Sequence, residues 1–207
     1  AIRRSVGCSG NVERQLRCGT SRYCVCCWWS RHRPEAPLVH NLVSMSVNLR
    51  TATIEDVPVL EKWDEDEEAT SWGGDDDNYD WEYELPRSVY WREFLIAEVD
   101  SVPIGMVVII DALQEESHYW GDNAPQNSWA IDIWIGVAEF RSKGYGTEMM
   151  KKALERCFEN HDASCVLIDP LQSNHRAIAF YRRLGFREVG PRRFRNDDCL
   201  VMSIGRK

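Results

Sequence analysis

Hydrophobic positions follow two different periods along this chain from residue 47 onward, one of two residues and one of about 3.6 residues. Short apolar runs, alternating or continuous, predict strands, and longer stretches with an apolar stripe predict helices. The two kinds of segment are mixed, which predicts an α/β (α+β) fold. The predicted strands span 47–50, 92–100, 104–113, 128–137, 164–169, 186–190 and 198–205, and the predicted helices span 53–63, 147–159 and 173–184.

The strand predicted at 128–137 carries a carboxylate in an apolar context. Three isoleucines, Ile131, Ile133 and Ile135, alternate with Asp132 and the residues two and four positions after it. Asp132 therefore lies on the face opposite the isoleucines. Alternation alone would produce such a residue on a half-exposed strand. A carboxylate there could also hold a protonated amine and take its proton. The strand by itself leaves both interpretations open.

This glycine-containing turn, R-x-x-G-x-G at 141–146, joins the strand to the helix predicted at 147–159. Glycine lets the backbone adopt positive φ and lets a ligand approach it closely. The first N–H groups of a helix point away from it, and the helix dipole favours an anion in front of them. The turn therefore predicts a pyrophosphate site, although many strand–helix corners contain glycine for steric reasons alone. It is neither a Walker A loop nor a G-x-G-x-x-G fingerprint.

Charge is distributed unevenly along the chain. Residues 1–44 contain seven arginines against two glutamates, a net charge of +5, and the rest of the chain has 18 basic and 31 acidic residues, a net charge of −13. The acidic part argues against nucleic acid as a partner, because a phosphate backbone requires a basic face. It suits a small cationic partner, and it is also compatible with ordinary solubility.

Residues 1–44 lack the periodicity of the rest of the chain, and we predict a disordered or non-native extension there, followed by one domain at 45–207. Five of the eight cysteines lie within the first 27 residues, without a recognised zinc spacing. The other three stand in apolar contexts that favour buried thiols in a reducing cytoplasm. No apolar run is long enough to span a bilayer. We expect a cytoplasmic monomer or homodimer without a metal and without a membrane partner.

A second motif lies about thirty residues beyond the glycine turn, in DPLQSNHRAIAFYRRLGF at 169–186. Asn174 and Tyr181 are seven residues apart there, two helical turns, so they share a face. Together with the glycine turn, this pattern resembles the GNAT superfamily of acetyl-CoA-dependent N-acetyltransferases. The segments SWGG, AID and KGYGT extend the resemblance, over 47–204, to the aminoglycoside 6′-N-acetyltransferases.

The resemblance implies a GNAT fold, with a central mixed, mostly antiparallel sheet flanked by helices. Acetyl-CoA would occupy a V-shaped split between the strand at 128–137 and the strand at 164–169. The loop amides would bind its pyrophosphate, and the end of the first strand would pair with the pantetheine arm and polarise the thioester carbonyl. The implied cofactor-binding residues are Ile135, Val137, Arg141, Ser142, Lys143, Gly144, Tyr145, Gly146, Thr147 and Asn174.

The resemblance also implies two catalytic residues. Asp132 matches the residue that takes a proton from the attacking amine, and Tyr181 matches the residue that protonates the departing thiolate. The alternative for Tyr181 is a core aromatic residue with a satisfied hydroxyl group. On the acceptor side the matching positions are Trp72, Trp120, Asp132 and Asp169.

Acidic and aromatic residues are interleaved around the predicted acceptor site, notably in the acidic run at 64–68 and the SWGGDDDNYDWEYE segment at 71–84. Carboxylates with aromatic rings suit a polycationic, ring-bearing ligand. An aminoglycoside fits this description, although each single acid in the run could equally be solvated. Ser117 departs from the family, which has a further acid at that position, and Glu115 and Glu116 are its acidic neighbours.

The leading hypothesis is therefore an acetyltransferase that acts on the 6′-amine of aminoglycosides. Two alternatives remain open. The same chemistry could act on another amine, such as a hydroxylysine-type siderophore precursor or a protein N-terminus. A regulatory module could instead bind CoA without catalysis, but such a module would be expected to lose Asp132 or Tyr181.

Overall fold

The computed structural model describes residues 46–66 and 79–206. The extension predicted at 1–44 and the predicted acceptor residue Trp72 lie outside the described residues. Within them the elements are β1 (Asn48–Thr51), α1 (Val57–Asp64), α2 (Trp81–Glu84), β2 (Arg92–Val99), β3 (Val102–Asp111), β4 (Ser128–Trp134), α3 (Tyr145–Glu159), β5 (Cys165–Ile168), α4 (His175–Leu184), β6 (Arg187–Phe194) and β7 (Asp197–Gly205).

The strands form one seven-stranded sheet in the order β1-β2-β3-β4-β5-β7-β6. Among these strands only β4 and β5 pair in parallel, and all other neighbours are antiparallel. The predicted mixed, mostly antiparallel sheet is confirmed. The parallel pair matters for function, because it places the carboxyl ends of β4 and β5 at the same edge of the sheet.

Local sequence signals account for several connections. β2 and β3 form a hairpin, and its two turn residues Asp100 and Ser101 both have positive φ, 51° and 64°, as a type I′ hairpin turn requires. A capping box is present before α1, where the Thr53 amide donates to Asp56 Oδ2 at 2.8 Å. Gly185 ends α4 with a φ of 102°, followed by the buried Phe186.

Two hydrophobic layers enclose the sheet. On one face α3 and α4 pack on the alternate strand residues that include Ile131 and Ile168. On the other face α1 and α2 cover the β2–β3 end, and the β3–β4 loop covers the β5–β7 end, where Ala130 and Leu167 are buried. Asp132 follows Ala130 by two residues, and Asp169 follows Leu167 by two, so strand alternation directs both carboxylates to this second face.

Several predicted boundaries were wrong. The strand predicted at 186–190 continues to Phe194, and two further differences lie near the predicted site. The strand predicted at 128–137 ends at Trp134, and the helix predicted from 147 begins at Tyr145. The helix begins earlier because Gly144, with a φ of 96°, serves as its N-cap. No helix within the described ranges is both long and apolar enough to cross a membrane.

Candidate active site

The sheet opens into a split between β4 and β5. The two strands pair only at Ser128↔Cys165, Trp129↔Val166 and Ala130↔Leu167. Beyond that point β4 continues along β3, and Ile168 pairs with Met202 of β7 instead. The predicted V-shaped split is therefore confirmed, and it opens at the carboxyl ends of the parallel pair.

The chain at the end of β4 bulges away from β3. Trp134 pairs with Met106, and the Val137 amide donates to the Ile104 carbonyl at 3.2 Å. Between these two contacts the backbone advances by three residues after β4 but by only two residues along β3. One extra residue on one of two paired segments is the geometry of a β-bulge. Gly105 permits it, since a Cβ at that position would come within 2.3 Å of the Trp134 carbonyl oxygen. The irregular segment 135–137 lines the split, where the resemblance places the acyl group.

Gly136 fixes this segment against α1. A Cβ at Gly136 would lie 2.1 Å from the ring of Trp63, and that ring is itself buried. The backbone at the split therefore packs directly on an indole, which only glycine permits.

The two glycines of the predicted phosphate loop have different reasons to be glycine. Gly144 has a φ of 96°, which other residues adopt only with strain. Gly146 has no positive φ, and a Cβ there would meet only Ile135 Cδ1 and Phe180 Cζ, both at an ordinary 3.8 Å. Neither backbone conformation nor packing within the protein requires glycine at Gly146. Gly146 is the second residue of a 15-residue helix, so its N–H is among the first four that have no partner within the helix.

Two other loop residues, Arg141 and Ser142, have side chains that are held by the protein. Arg141 is directed inward: its Nε donates to the Ile135 carbonyl at 3.0 Å, and its amide donates to the Ala138 carbonyl at 3.0 Å. Both groups thus have partners within the protein, and the predicted role of Arg141 at the pyrophosphate remains a prediction. Ser142 has a φ of 61°, and its hydroxyl accepts a hydrogen bond from Arg176 of α4. Lys143 is exposed.

Asn174 lies at the start of α4, and Tyr181 lies within that helix. Asn174 is the N-cap, and its Oδ1 accepts from the Ala177 amide at 2.9 Å. Tyr181 is half-buried, and its ring lies 5.1 Å from that of Phe180 and 5.7 Å from that of Phe186. α4 covers the face of the sheet opposite Asp132. Tyr181 and Asp132 therefore lie on opposite sides of the sheet, and the split between β4 and β5 opens between them. Their predicted roles toward CoA remain predictions.

A tyrosine that the sequence did not single out forms a hydrogen bond with Asp169, one of the two acceptor-side carboxylates. The Tyr119 hydroxyl donates to Asp169 Oδ2 at 2.6 Å. Burial, together with the charges of Asp169 and the more weakly acting Asp132, raises the pKa of Tyr119. The phenol of Tyr119 therefore stays protonated and donates its hydrogen bond to Asp169, the residue that follows β5. Fifty residues separate Tyr119 from Asp169, and no spacing signal could have revealed the pair.

The loop before β4 holds Tyr119 in place. Glu115 is buried, and its carboxylate accepts from the amides of Ser117 and Tyr119 and from the Ser117 hydroxyl. Tyr119 stacks on Phe194 with ring centroids 4.3 Å apart. Trp120 is only 4 % exposed, so most of its ring packs in the core rather than facing a ligand. Its predicted substrate contact remains a prediction.

Neither acidic neighbour of Ser117 replaces the missing family acid. Glu115 organises the loop, and Glu116 pairs with Arg87 at 2.8 Å. In the part of the chain that the structure describes, no three His, Cys, Asp or Glu side chains are grouped so as to hold a metal ion.

The fold combines a sheet split between two parallel strands with a carboxylate on the first of them, Asp132 of β4, and with a helix that begins shortly after that strand. This arrangement is typical of the acyl-group transferases that the sequence resembles. Residues 53–194 match the family described as Acetyltransferase (GNAT) domain, and the chain belongs to this family.

Two curated relatives are similar in sequence. The chain is 28% identical over 152 residues to the aminoglycoside N(6′)-acetyltransferase type 1 of Klebsiella pneumoniae, covering 70% of this chain and 76% of the relative. It is 30% identical over 78 residues to a kanamycin resistance protein of Rhizobium radiobacter, covering 38% of this chain and 72% of the relative. The structure of AAC(6′)-Ib in complex with parmomycin and acetyl-CoA superposes with a TM-score of 0.70 at 26% identity, covering 78% of this chain and 94% of that one.

Proposed function

We propose that this acetyltransferase moves the acetyl group of acetyl-CoA to the 6′-amine of an aminoglycoside. The donor half of this proposal, the binding of acetyl-CoA, rests on Gly146. Nothing within the protein requires glycine at this position, whereas a phosphate that approaches the backbone closely does require it. The acceptor half is supported by the carboxylates of Asp132 and Asp169 at the split and by the relatives that are named for aminoglycoside acetylation.

The reaction follows from this arrangement. The acceptor amine is protonated at neutral pH, since alkylamines have pKa values of about 10.4. Asp132 takes one proton, and the free amine attacks the thioester carbonyl carbon from the acceptor side. The C–S bond breaks as the amide forms, and Tyr181 protonates the thiolate from the helix side. The nitrogen loses its second proton, so one proton ends on CoA and one in solvent.

Tyr119 and Asp169 orient the acceptor in this proposal. By donating its proton to Asp169, the Tyr119 hydroxyl limits the rotation of that carboxylate. A second ammonium group of the ligand can then pair with Asp169 while Asp132 serves the reacting amine. A polyamine sugar satisfies both carboxylates at once.

Replacing Gly146 by alanine tests the donor half. We expect about tenfold weaker acetyl-CoA binding, because the methyl group blocks a hydrogen bond to a charged phosphate. The free energy of unfolding should not fall, since the nearest atoms are 3.8 Å from the new Cβ and alanine favours helix. Titration calorimetry and thermal melting check both points.

Gly205→Ala is the matched control for this variant, because its Cβ would also have a nearest neighbour at ordinary distance, 3.9 Å, but far from the loop. Equal acetyl-CoA affinity in the two alanine variants would contradict the phosphate cradle.

The acceptor half is tested with acetyl-CoA and pairs of aminoglycosides that differ only in an amine or a hydroxyl group at the 6′ position. We expect acetylation of the 6′-amino member alone, followed by the mass of the acceptor. Thiol reagents are less suitable, because Cys165 is a half-buried free cysteine. Turnover of both members of a pair would mean that the enzyme acetylates an amine at a position other than 6′.

One observation favours a different acceptor. A cavity of about 220 Å³ beside Tyr119 is lined by Arg192, Arg193 and Arg195. Arg192 donates to the carbonyls of Tyr119 and Trp120, and Arg193 pairs with Asp198. Guanidinium groups on this side of Tyr119 would suit the carboxylate of a small zwitterion whose amine lies at Asp132. The same assay should therefore include a hydroxylysine-type amino acid. Turnover of that compound without turnover of any aminoglycoside would establish this alternative, and no turnover at all would favour a non-catalytic module.

A further inference from the structure

The inward guanidinium group of Arg141 connects three segments around the split. Its Nε donates to the Ile135 carbonyl at 3.0 Å, and its Nη2 donates to the Gly136 carbonyl at 3.1 Å. The same Nη2 forms an ion pair with Asp66 Oδ2 at 2.5 Å. The Arg141 side chain is only 15% exposed, and that of Asp66 is 31% exposed.

These partners belong to different functional parts of the proposed enzyme. Arg141 opens the phosphate loop, and 135–136 is the bulged segment where the acyl group would lie. Asp66 lies just beyond α1 and directly precedes residues 67–78, which contain the predicted acceptor residue Trp72. One cation therefore ties the donor side to the start of the acceptor segment.

The chemistry of this junction requires arginine. Two consecutive carbonyl oxygens and a carboxylate converge on one planar group, which presents several N–H donors in a fixed fork. An ammonium group has no such fork. Gly136 also rests on Trp63 of α1, three residues before Asp66. The end of α1 thus contacts the bulge directly at Trp63 and through Arg141 at Asp66.

We propose that Arg141 is a positioning residue that makes acetyl-CoA affinity depend on Asp66, a residue outside the phosphate loop. Through this ion pair the residue that follows α1 and the donor loop are held in one geometry. Linkage then requires that bound acetyl-CoA favours acceptor binding by the same factor by which the acceptor favours acetyl-CoA binding. The acceptor half of this inference rests on the proposed function, and the donor half does not.

Asp66→Asn is the first test, because asparagine keeps the shape of the side chain and removes its charge. We expect the acetyl-CoA dissociation constant, measured by calorimetry without any acceptor, to rise about fivefold, the lower end of typical coupling. Glu61→Gln is the matched control, since it removes one exposed carboxylate from α1 and should leave that constant unchanged. Melting temperatures should fall by no more than about 4 °C, as for the loss of one partly exposed ion pair.

A double-variant cycle with Arg141→Lys separates positioning from independent damage. If Asp66 acts through Arg141, the double variant should bind acetyl-CoA no more weakly than Arg141→Lys alone. Effects that multiply in the double variant, or equal affinities for Asp66→Asn and Glu61→Gln, would overturn the proposal.

The acceptor half is read from steady-state kinetics on the same variants. Asp66→Asn should raise the KM of the aminoglycoside more than it lowers kcat, because the reacting groups themselves are intact. An unchanged KM with a lowered kcat would overturn this half. Absence of aminoglycoside turnover in the unsubstituted protein would refute the proposed acceptor and leave the acetyl-CoA measurements to decide the role of Arg141.

Discussion

Replacing Asp132 by asparagine is expected to lower kcat by about 10²- to 10⁴-fold, the usual contribution of a general base. Asparagine occupies the same space on β4 and cannot accept the proton of the ammonium group. Acetyl-CoA binding should stay at its unsubstituted value, because the phosphate loop is on another segment and Asp132 faces the acceptor side of the sheet. Steady-state kinetics and calorimetry measure the two quantities.

The pH profile gives this prediction a second readout. Without the carboxylate, the variant depends on amine that is already deprotonated, so its residual rate should rise with pH toward the pKa of the amine. Glu155→Gln removes an exposed carboxylate from α3 and should keep both the rate and the profile. Loss of acetyl-CoA binding in Asp132→Asn would instead assign Asp132 a structural role.

Tyr181→Phe is expected to lower kcat by about 10²-fold, at the lower end for a general acid. The effect is smaller than at Asp132 because a thiol has a pKa of about 8.5, and its thiolate leaves with modest help. Phenylalanine keeps the ring contacts with Phe180 and Phe186, so the fold and the melting temperature should persist.

A thioester donor whose thiol is more acidic distinguishes proton donation from packing at Tyr181. Such a donor needs less protonation, so the deficit of Tyr181→Phe should shrink with it. A deficit of the same size with both donors would mean that the hydroxyl group of Tyr181 does not protonate the leaving group.

The features that the sequence predicted correctly depend on interactions between residues close together in the chain. Periodicity placed the strands and helices, because this signal involves only residues a few positions apart. The family motifs added the split between the strands at 128–137 and 164–169, which periodicity cannot supply.

The end of β4 shows where local pattern stops being informative. Isoleucine alternation continues through Ile135, and by itself it predicts a strand to residue 137. The strand stops at Trp134 because Gly136 packs on Trp63 and because Arg141 takes the carbonyls of 135 and 136. These partners come from α1 and from the loop, so only the folded chain brings them to the strand.

By itself the sequence determined the fold class, and it singled out the loop proposed to bind the donor and the two candidate proton carriers Asp132 and Tyr181. Only the tertiary structure distinguished Gly144, needed for its backbone conformation, from Gly146, needed by nothing in the protein. It also paired Tyr119 with Asp169 across 50 residues and Arg141 with Asp66 across 75. The physical reason is the same in each case: hydrogen bonds and contacts act through space, and a sequence pattern records only neighbours along the chain.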